Sequence, residues 1–319
     1  MVGRRAWWPA AAAAAAALAL ALGLAGAGEP PVQGSGRPAA GEAVTPDAAP
    51  AAAASGRTAR EPAQPNRFFN PNLFYHGLEA ARSSATGVAE PLAGGLVPHH
   101  DLAAELLSGF FLRLEAEPPE VIFLVGPNHE AAGGPVITGR RAWQTDFGLV
   151  EVDREAVDAL VAAGLAAVND EVLEQEHAMG TLMPYIKFHA PAARVVPLIL
   201  PPGLTRPELE RLSGALAAEL GPGRILVASV DFSHYLTPDE AEARDKETLA
   251  TIMAGDLERL LRMGPDHLDS PGSVAVLLTA MATVGADGPR VLGHTNSGII
   301  LQDDQIETTS YFTFAFTRK

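Results

Sequence analysis

Several histidines and carboxylates in this sequence stand beside short apolar segments, where a metal pocket or an acid/base site could form. The ones that follow apolar segments are His99, His100, His129, Asp231 and His234. Two more, His177 and Asp269, come shortly before segments with helical character. Two histidines with one carboxylate can hold a divalent metal and leave positions open for a substrate and dioxygen. The same groups can also hold zinc with a water.

A single histidine in apolar surroundings is more often a hydrogen-bonded core residue than a ligand. That reading does not account for three histidine-bearing loops that each directly follow an apolar run, so we predict one shared site. Four other histidines have no motif around them, and we interpret them as structural or surface residues: His76, His189, His267 and His294.

Four apolar runs predict the strands that position these side chains: residues 92–98, 121–125, 195–200 and 225–229. Continuous apolar character is typical of central strands that are covered on both faces. Helical patterns occupy residues 103–115, 153–165, 207–220, 238–253 and 273–284, and a β-rich segment covers residues 308–316. This alternation predicts a single α/β domain with a central, mostly parallel or mixed sheet flanked by helices. The carboxyl ends of its strands should bring the histidine loops together.

Seven short motifs occur in the order seen in Memo-like proteins. They are Pro98-His99, Gly126-Pro127-Asn128-His129, residues 143–148 (WQTDFG), Glu176-His177, Leu182-Met183-Pro184-Tyr185, residues 229–234 (SVDFSH) and Asp269-Ser270-Pro271. On these motifs, residues 96–316 resemble the Memo-like family (AmmeMemoRadiSam system protein B). The resemblance implies a fold and a metal-pocket layout similar to those of class III extradiol dioxygenases.

The resemblance also implies a ligand set. His99 and His129 match the two histidine ligands, and Asp269 falls where the human-type protein has a cysteine and the dioxygenases have a carboxylate. A carboxylate at this position favours iron over a copper–thiolate site, while copper and zinc stay possible. His100 competes with His99 for the first ligand position.

Further pocket roles follow from the same resemblance. His234 matches the acid/base histidine of the dioxygenases, and Asp231 and His177 match other pocket residues. Asp231 has a second interpretation as a simple turn cap. Two departures from the family pattern stand out: Gly180 replaces a frequent glutamate, and His100 replaces the alanine of the common Pro-His-Ala-Gly-Tyr motif.

Three functions remain open at this point. The first is a metal-dependent oxygenase or redox enzyme, and the second is a metallohydrolase in which Asp231 or His234 is the base. The third is a non-catalytic module that binds metal or a peptide. A shared fold does not decide among them, and the partner is either a small molecule or a peptide.

Composition narrows the classes of protein and site. The 319 residues include no cysteine, which excludes disulfides, thiolate nucleophiles and iron–sulfur clusters. Any metal must therefore be held by histidine, aspartate or glutamate. The formal net charge of −15 disfavours binding to nucleic acid or to an anionic membrane.

The N-terminal residues predict export of the protein rather than a part of its folded domain. Arg4 and Arg5 precede an apolar run from residue 7 to residue 25, and Ala25-Gly26-Ala27 provides a cleavage pattern. We interpret residues 1–27 as the signal peptide of an exported, bacterial-type protein in the periplasm or outside the cell, with an uncleaved membrane anchor as the alternative. Residues 28–66 are rich in alanine and proline and predict a disordered linker. Residues 67–319 form the predicted domain.

Overall fold

The apolar runs form the middle of one twelve-stranded mixed sheet in the computed structural model, which describes residues 62–84 and 90–319. The strands are β1 (Gln64–Pro65), β2 (Leu92–Val97), β3 (Val121–Pro127), β4 (Ile137–Thr138), β5 (Trp143–Thr145), β6 (Gly148–Val152), β7 (Ala167–Val168), β8 (Arg194–Leu200), β9 (Arg224–Ser229), β10 (His234–Leu236), β11 (Asp287–Asn296) and β12 (Thr308–Thr317).

Helices flank this sheet. They are α1 (Pro71–Ser84), α2 (Ala104–Phe111), α3 (Arg154–Ala162), α4 (Asp170–Gln175), α5 (His177–Gly180), α6 (Leu182–His189), α7 (Arg206–Glu219), α8 (Pro238–Ala254), α9 (Leu257–Leu260), α10 (Pro271–Thr283) and α11 (Ser297–Leu301). Short 3₁₀ turns, Asp101–Ala103 and Leu112–Glu115, extend α2 at both ends.

The central strands run parallel in the order β6-β8-β3-β9-β2. Strands β5 and β12 join the two sides of this group in antiparallel pairing. Every residue of β3 is buried, as expected for a strand with both faces covered. The predicted α/β class with a central mixed sheet and flanking helices is therefore confirmed.

Polar side chains cap the first turns of α3 and α10. The Asp153 side chain accepts a hydrogen bond from the Ala156 amide and so caps α3. Ser270 caps α10 by accepting from the Ser273 amide, so Asp269 lies immediately before the helix cap. This cap fixes where the Asp269 carboxylate leaves the backbone.

The topology places the candidate loops at one edge of the sheet. Strand β9 lies between β3 and β2, and all three run parallel. His99, His129 and Asp231, which follow β2, β3 and β9, therefore leave the sheet from neighbouring strands at the same end.

The N-terminal boundary differs from the prediction. Strand β1 lies inside the range assigned to the disordered linker, yet Gln64 and Pro65 pair with Trp143 and Gln144 of β5. The folded part therefore begins before Arg67, because these residues gain backbone hydrogen bonds at an open sheet edge. The predicted signal peptide and residues 28–61 of the linker lie outside the described residues. In the described part, no helix is long and apolar enough to cross a membrane.

Candidate metal centre

His99 is held so that one ring nitrogen is left for a ligand. Its backbone N–H donates to Asp231 Oδ1 over 2.9 Å. The Ser229 hydroxyl donates to the Ala178 carbonyl over 2.6 Å, so it accepts from His99 Nδ1–H, which lies 3.2 Å away. This network assigns the His99 proton to Nδ1 and leaves Nε2 available as a metal ligand.

His129 is oriented in the same way by a buried carboxylate. Glu176 accepts from His129 Nδ1 over 2.7 Å and from the His129 backbone N–H over 2.9 Å. Glu176 also caps α5 by accepting from the Ala178 amide. A carboxylate on the outer nitrogen of a histidine is a common partner of metal-ligating histidines, and it directs Nε2 into the pocket.

Asp269 lies where the two imidazoles converge. Its Oδ2 atom is 3.2 Å from His99 Nε2 and 3.8 Å from His129 Nε2. The same atom accepts from the Asp231 backbone N–H over 3.2 Å. The other oxygen, Oδ1, is buried and has no hydrogen-bond partner among the described residues. A buried, partnerless carboxylate oxygen is costly unless a cation compensates it.

The third histidine of the cluster is His177. Its ring stacks on that of His129, with centroids 4.2 Å apart and planes 24° apart. One ligand atom each from His99, His129 and His177 lies within 4.8 Å of the others. The structure therefore assembles three histidines and Asp269 around one point.

Charge pairing in the cluster perturbs the pKa values. Burial acts to lower the pKa of His129, but hydrogen bonds to Asp269 and Glu176 outweigh it and raise the pKa to about 10. Burial acts to raise the pKa of Asp269, but the charge of His99 and a hydrogen bond to His129 outweigh it and lower the pKa. Burial lowers the pKa of His177 well below its usual value, and the charges of His99 and His129 add to this.

These residues fit a divalent metal. Ligand atoms about 2.1 Å from a zinc-sized ion lie roughly 3.0–3.4 Å from each other. The distances from Asp269 Oδ2 to the two Nε2 atoms, 3.2 Å and 3.8 Å, are close to that spacing. The orphaned Asp269 Oδ1 adds an oxygen that a cation would satisfy.

The other predicted site residues take different places. His100 turns away from the cluster and lies 3.0 Å from Tyr311 Oη through Nδ1, so His99 rather than His100 points into the pocket. Asp231 is more than a turn cap, because it anchors the His99 backbone. The His234 ring contacts Tyr235 and is not among the ring contacts of the three clustered histidines in the described chain.

Two orienting residues were not predicted: Glu176 and Ser229. The position of Glu176 beside a motif histidine was a usable signal, since a carboxylate at a helix start next to histidines can serve as both cap and orienter. At Gly180, where a frequent carboxylate is missing, a Cβ atom would come within 2.5 Å of Phe68 Cδ2. The N-terminal segment fills that place with an aromatic ring, whose centroid lies 6.0 Å from that of His177.

A model of Memo-like proteins matches residues 78–314. The chain belongs to the Memo-like family. It is 27% identical over 239 residues to a MEMO1 family protein of Methanosarcina mazei, covering 72% of this chain and 85% of that relative. It is 29% identical over 208 residues to a MEMO1 family protein of Pyrobaculum aerophilum, covering 63% and 73% of the two chains.

The chain is also similar to an uncharacterized protein from Escherichia coli K12 whose crystal structure is solved. The TM-score is 0.46 with 13% sequence identity, and the match covers 69% of this chain and 99% of that one. The two MEMO1 relatives named above come from archaea, so the bacterial origin stays a prediction.

Proposed function

We propose that this Memo-like protein is a metal-dependent oxygenase or redox enzyme. His99, His129 and Asp269 would hold a divalent metal, with iron(II) favoured by the ligand set and copper or zinc as alternatives. The observation that supports this most is the convergence of His99 Nε2 and His129 Nε2 on Asp269 Oδ2, at 3.2 Å and 3.8 Å. Two histidines and one carboxylate would leave positions open for dioxygen and an organic substrate.

When bound, the metal would act as a Lewis acid that lowers the pKa of a substrate hydroxyl. His177 would accept the released proton, since its ring stacks on that of the ligand His129 with centroids 4.2 Å apart. His234, which the family resemblance matches to an acid/base histidine, would be the second proton-transfer group, and its Nδ1 is buried without a partner in the described chain. Asp231 would hold the His99 loop in place through the His99 backbone N–H.

A metallohydrolase is the second candidate, and His177 is the observation that favours it. With His99 and His129, it makes a group of three histidines whose ligand atoms lie within 4.8 Å of one another. Three histidines with a water form a known catalytic zinc site. Asp231 or His234 would then be the base.

The deciding experiment measures metal content and oxygen uptake of the full chain, purified without chelator or affinity histidines. We expect about one metal per chain. After anaerobic loading with iron(II), addition of a catechol should start oxygen consumption, and Asp269→Ala should lose both metal and oxygen uptake. Tight zinc with ester hydrolysis that needs no oxygen would select the hydrolase. Bound metal with neither reaction would leave a binding module.

We also propose that the protein is exported, on the pattern of residues 4–27. Fractionation of the native host, followed by N-terminal sequencing, should find the chain outside the cytoplasm and beginning near residue 28. A cytoplasmic chain that keeps Met1 would contradict export. A membrane-bound chain that keeps this segment would indicate the uncleaved anchor.

A further inference from the structure

Two consecutive phenylalanines near the start of the domain contact different parts of the molecule. The Phe69 ring packs against Phe74 and Phe147, at centroid distances of 5.5 Å and 5.7 Å, so it belongs to the core beside α1. The Phe68 ring instead lies 6.0 Å from the ring of His177, with the two planes 56° apart. Phe68 is therefore an aromatic side chain that the N-terminal segment brings to the metal cluster.

The backbone that carries Phe68 is held by contacts next to it in the chain. The Asn66 backbone N–H donates to the Gln144 carbonyl over 3.0 Å, which continues the pairing of β1 with β5. The Arg67 guanidinium donates to Glu174 of α4 over 2.7 Å. The Asn66 side chain accepts from the Phe68 N–H over 3.4 Å. The fold therefore sets the place of the Phe68 ring beside the cluster.

Gly180 leaves the space that the Phe68 ring occupies. It is the third residue after His177 in α5, so the two lie on the same side of this helical turn. A Cβ atom at Gly180 would come within 2.5 Å of Phe68 Cδ2 and 3.2 Å of Asn66 Oδ1. Even an alanine would therefore displace the ring. The glutamate that is frequent here in Memo-like sequences would put a carboxylate where the ring now lies.

The cluster is most accessible on the side of His129 and His177. Their side chains are 22% and 24% exposed, whereas those of His99 and Asp269 are 2% and 9% exposed. A ligand that enters the cluster must pass these two exposed imidazoles, and the half-buried Phe68 ring lies next to one of them. Apolar and aromatic surfaces gain free energy when they cover each other, so this ring favours a flat apolar group.

We infer that Phe68 is a specificity-determining residue of the metal centre, and that it selects ligands with a flat apolar group beside their metal-binding atoms. Gly180 permits this role because it leaves the ring in place. The inference rests on the proposed function, since it needs a metal in the cluster with positions open to an organic ligand. It adds the side of the site on which the apolar part of the substrate lies.

The test compares two chelating probes, acetohydroxamate and benzohydroxamate, which carry a methyl and a phenyl group on the same metal-binding atoms. Their affinities for the zinc-loaded full chain are measured by calorimetry. An aromatic contact contributes roughly two- to tenfold in affinity, so Phe68→Ala should lower the preference for benzohydroxamate by about that factor. Phe68→Leu, which keeps apolar surface without a ring, should give an intermediate preference. Zinc content should match the wild type in both variants, because Phe68 is not a ligand.

Gly180→Ala tests the ring without removing it. The added Cβ should displace the ring and lower the preference for benzohydroxamate. The double variant Phe68→Ala/Gly180→Ala should show the same preference as Phe68→Ala alone, because the ring that the Cβ displaces is already gone. Additive losses of preference in the double variant would overturn the role of the ring.

Phe69→Ala is the matched control. It should lower Tm more than Phe68→Ala does and leave the preference between the two probes unchanged, since its ring packs in the core. A preference that is equal in the wild type and Phe68→Ala, or that Phe69→Ala lowers as much, would overturn the inference and leave the proposed function standing. If neither hydroxamate binds the zinc-loaded chain, the metal has no open position, and the proposed function fails together with the inference.

Discussion

Two regions of this molecule place histidines beside a buried aspartate, and only one of them forms an open site. At Asp245 in α8, His294 Nε2 lies 2.8 Å from one carboxylate oxygen and the Ser233 hydroxyl donates to the other over 2.9 Å. At Asp269, Oδ1 has no partner among the described residues. The same residue types therefore make a closed ion pair in one place and an incomplete coordination set in the other.

The difference comes from where the outer ring nitrogens are bound. In the metal cluster, Glu176 and Ser229 take the Nδ1 atoms of His129 and His99, so both Nε2 atoms face inward. Around Asp245, each carboxylate oxygen has its own partner, because His294 Nε2 contacts Oδ2 and the Ser233 hydroxyl donates to Oδ1. Partners behind the imidazoles, rather than the histidines alone, make a metal site.

The largest expected difference between the two regions is in metal binding after one histidine is deleted from each. His129→Ala removes a ligand and should lower metal affinity by more than about 100-fold, since removing an outer partner alone costs up to that much. His294→Ala should leave metal content at the wild-type level, because its ring faces Asp245. Elemental mass spectrometry of both variants measures this. Equal metal content in the two variants would contradict the assignment of the site.

A smaller effect is expected from Glu176→Gln. The amide oxygen can still cap α5, but the negative charge behind His129 is lost. Metal affinity should fall by about 10–100-fold with little change in the free energy of unfolding of the metal-free chain. Competition with a chelator of known affinity gives the number. An affinity within twofold of the wild type would mean that Glu176 serves only as a helix cap.

Proton competition should make the stability of the metal-free chain and the gain in stability on metal binding change with pH in opposite directions. The pKa of His129 is raised from 6.5 to about 10 in the folded, metal-free chain. Its contribution to stability is therefore complete below pH 6.5 and is lost as the pH rises toward 10. A metal must displace the same proton, so metal affinity should rise by up to about tenfold per pH unit over that window.

Thermal unfolding at pH 6, 7.5 and 9, with zinc or with chelator, measures both slopes. The increase in Tm caused by metal should grow with pH, while the Tm of the metal-free chain falls. His129→Ala should flatten both trends, and His294→Ala should leave them unchanged. A metal-induced shift in Tm that is the same at the three pH values would show that no ligand proton is displaced.

Local sequence patterns predicted four of the five central parallel strands, strand β12 and five helices. The run at residues 195–200 became Arg194–Leu200, and the helical pattern at residues 238–253 became Pro238–Ala254. Helix α1 was not predicted. It packs so closely against α2 that a Cβ atom at Gly77 would lie 2.4 Å from the Ala104 backbone. This packing depends on both helices, and its only trace in the sequence is the glycine.

The residues that face the centre of the candidate site were predicted, whereas Glu176 and Ser229, which orient the histidines, were not. The strand order brings His99 and His129 together, which periodicity and motif order could indicate. The Ser229–His99 contact joins residues 130 positions apart and depends on a carbonyl in a third element, so no local pattern contains it. The His234 ring contacts Tyr235 rather than the three clustered histidines in the described chain, and His234 begins β10, which pairs with β12.

The smallest effect should come from Ser229→Ala, which tests the neutral partner against the charged one. The variant removes the acceptor for His99 Nδ1–H in a fully buried place, while the charged partner of His129 stays. Because a neutral hydrogen bond contributes about 1 kcal/mol, metal affinity should fall by roughly fivefold, less than for Glu176→Gln. Chelator competition on both variants measures the order. If Ser229→Ala weakens metal binding more than Glu176→Gln does, then the tautomer of His99 matters more than the charge behind His129. The direction of the hydrogen bonds behind the histidines, rather than the placement of a carboxylate, would then distinguish the two regions.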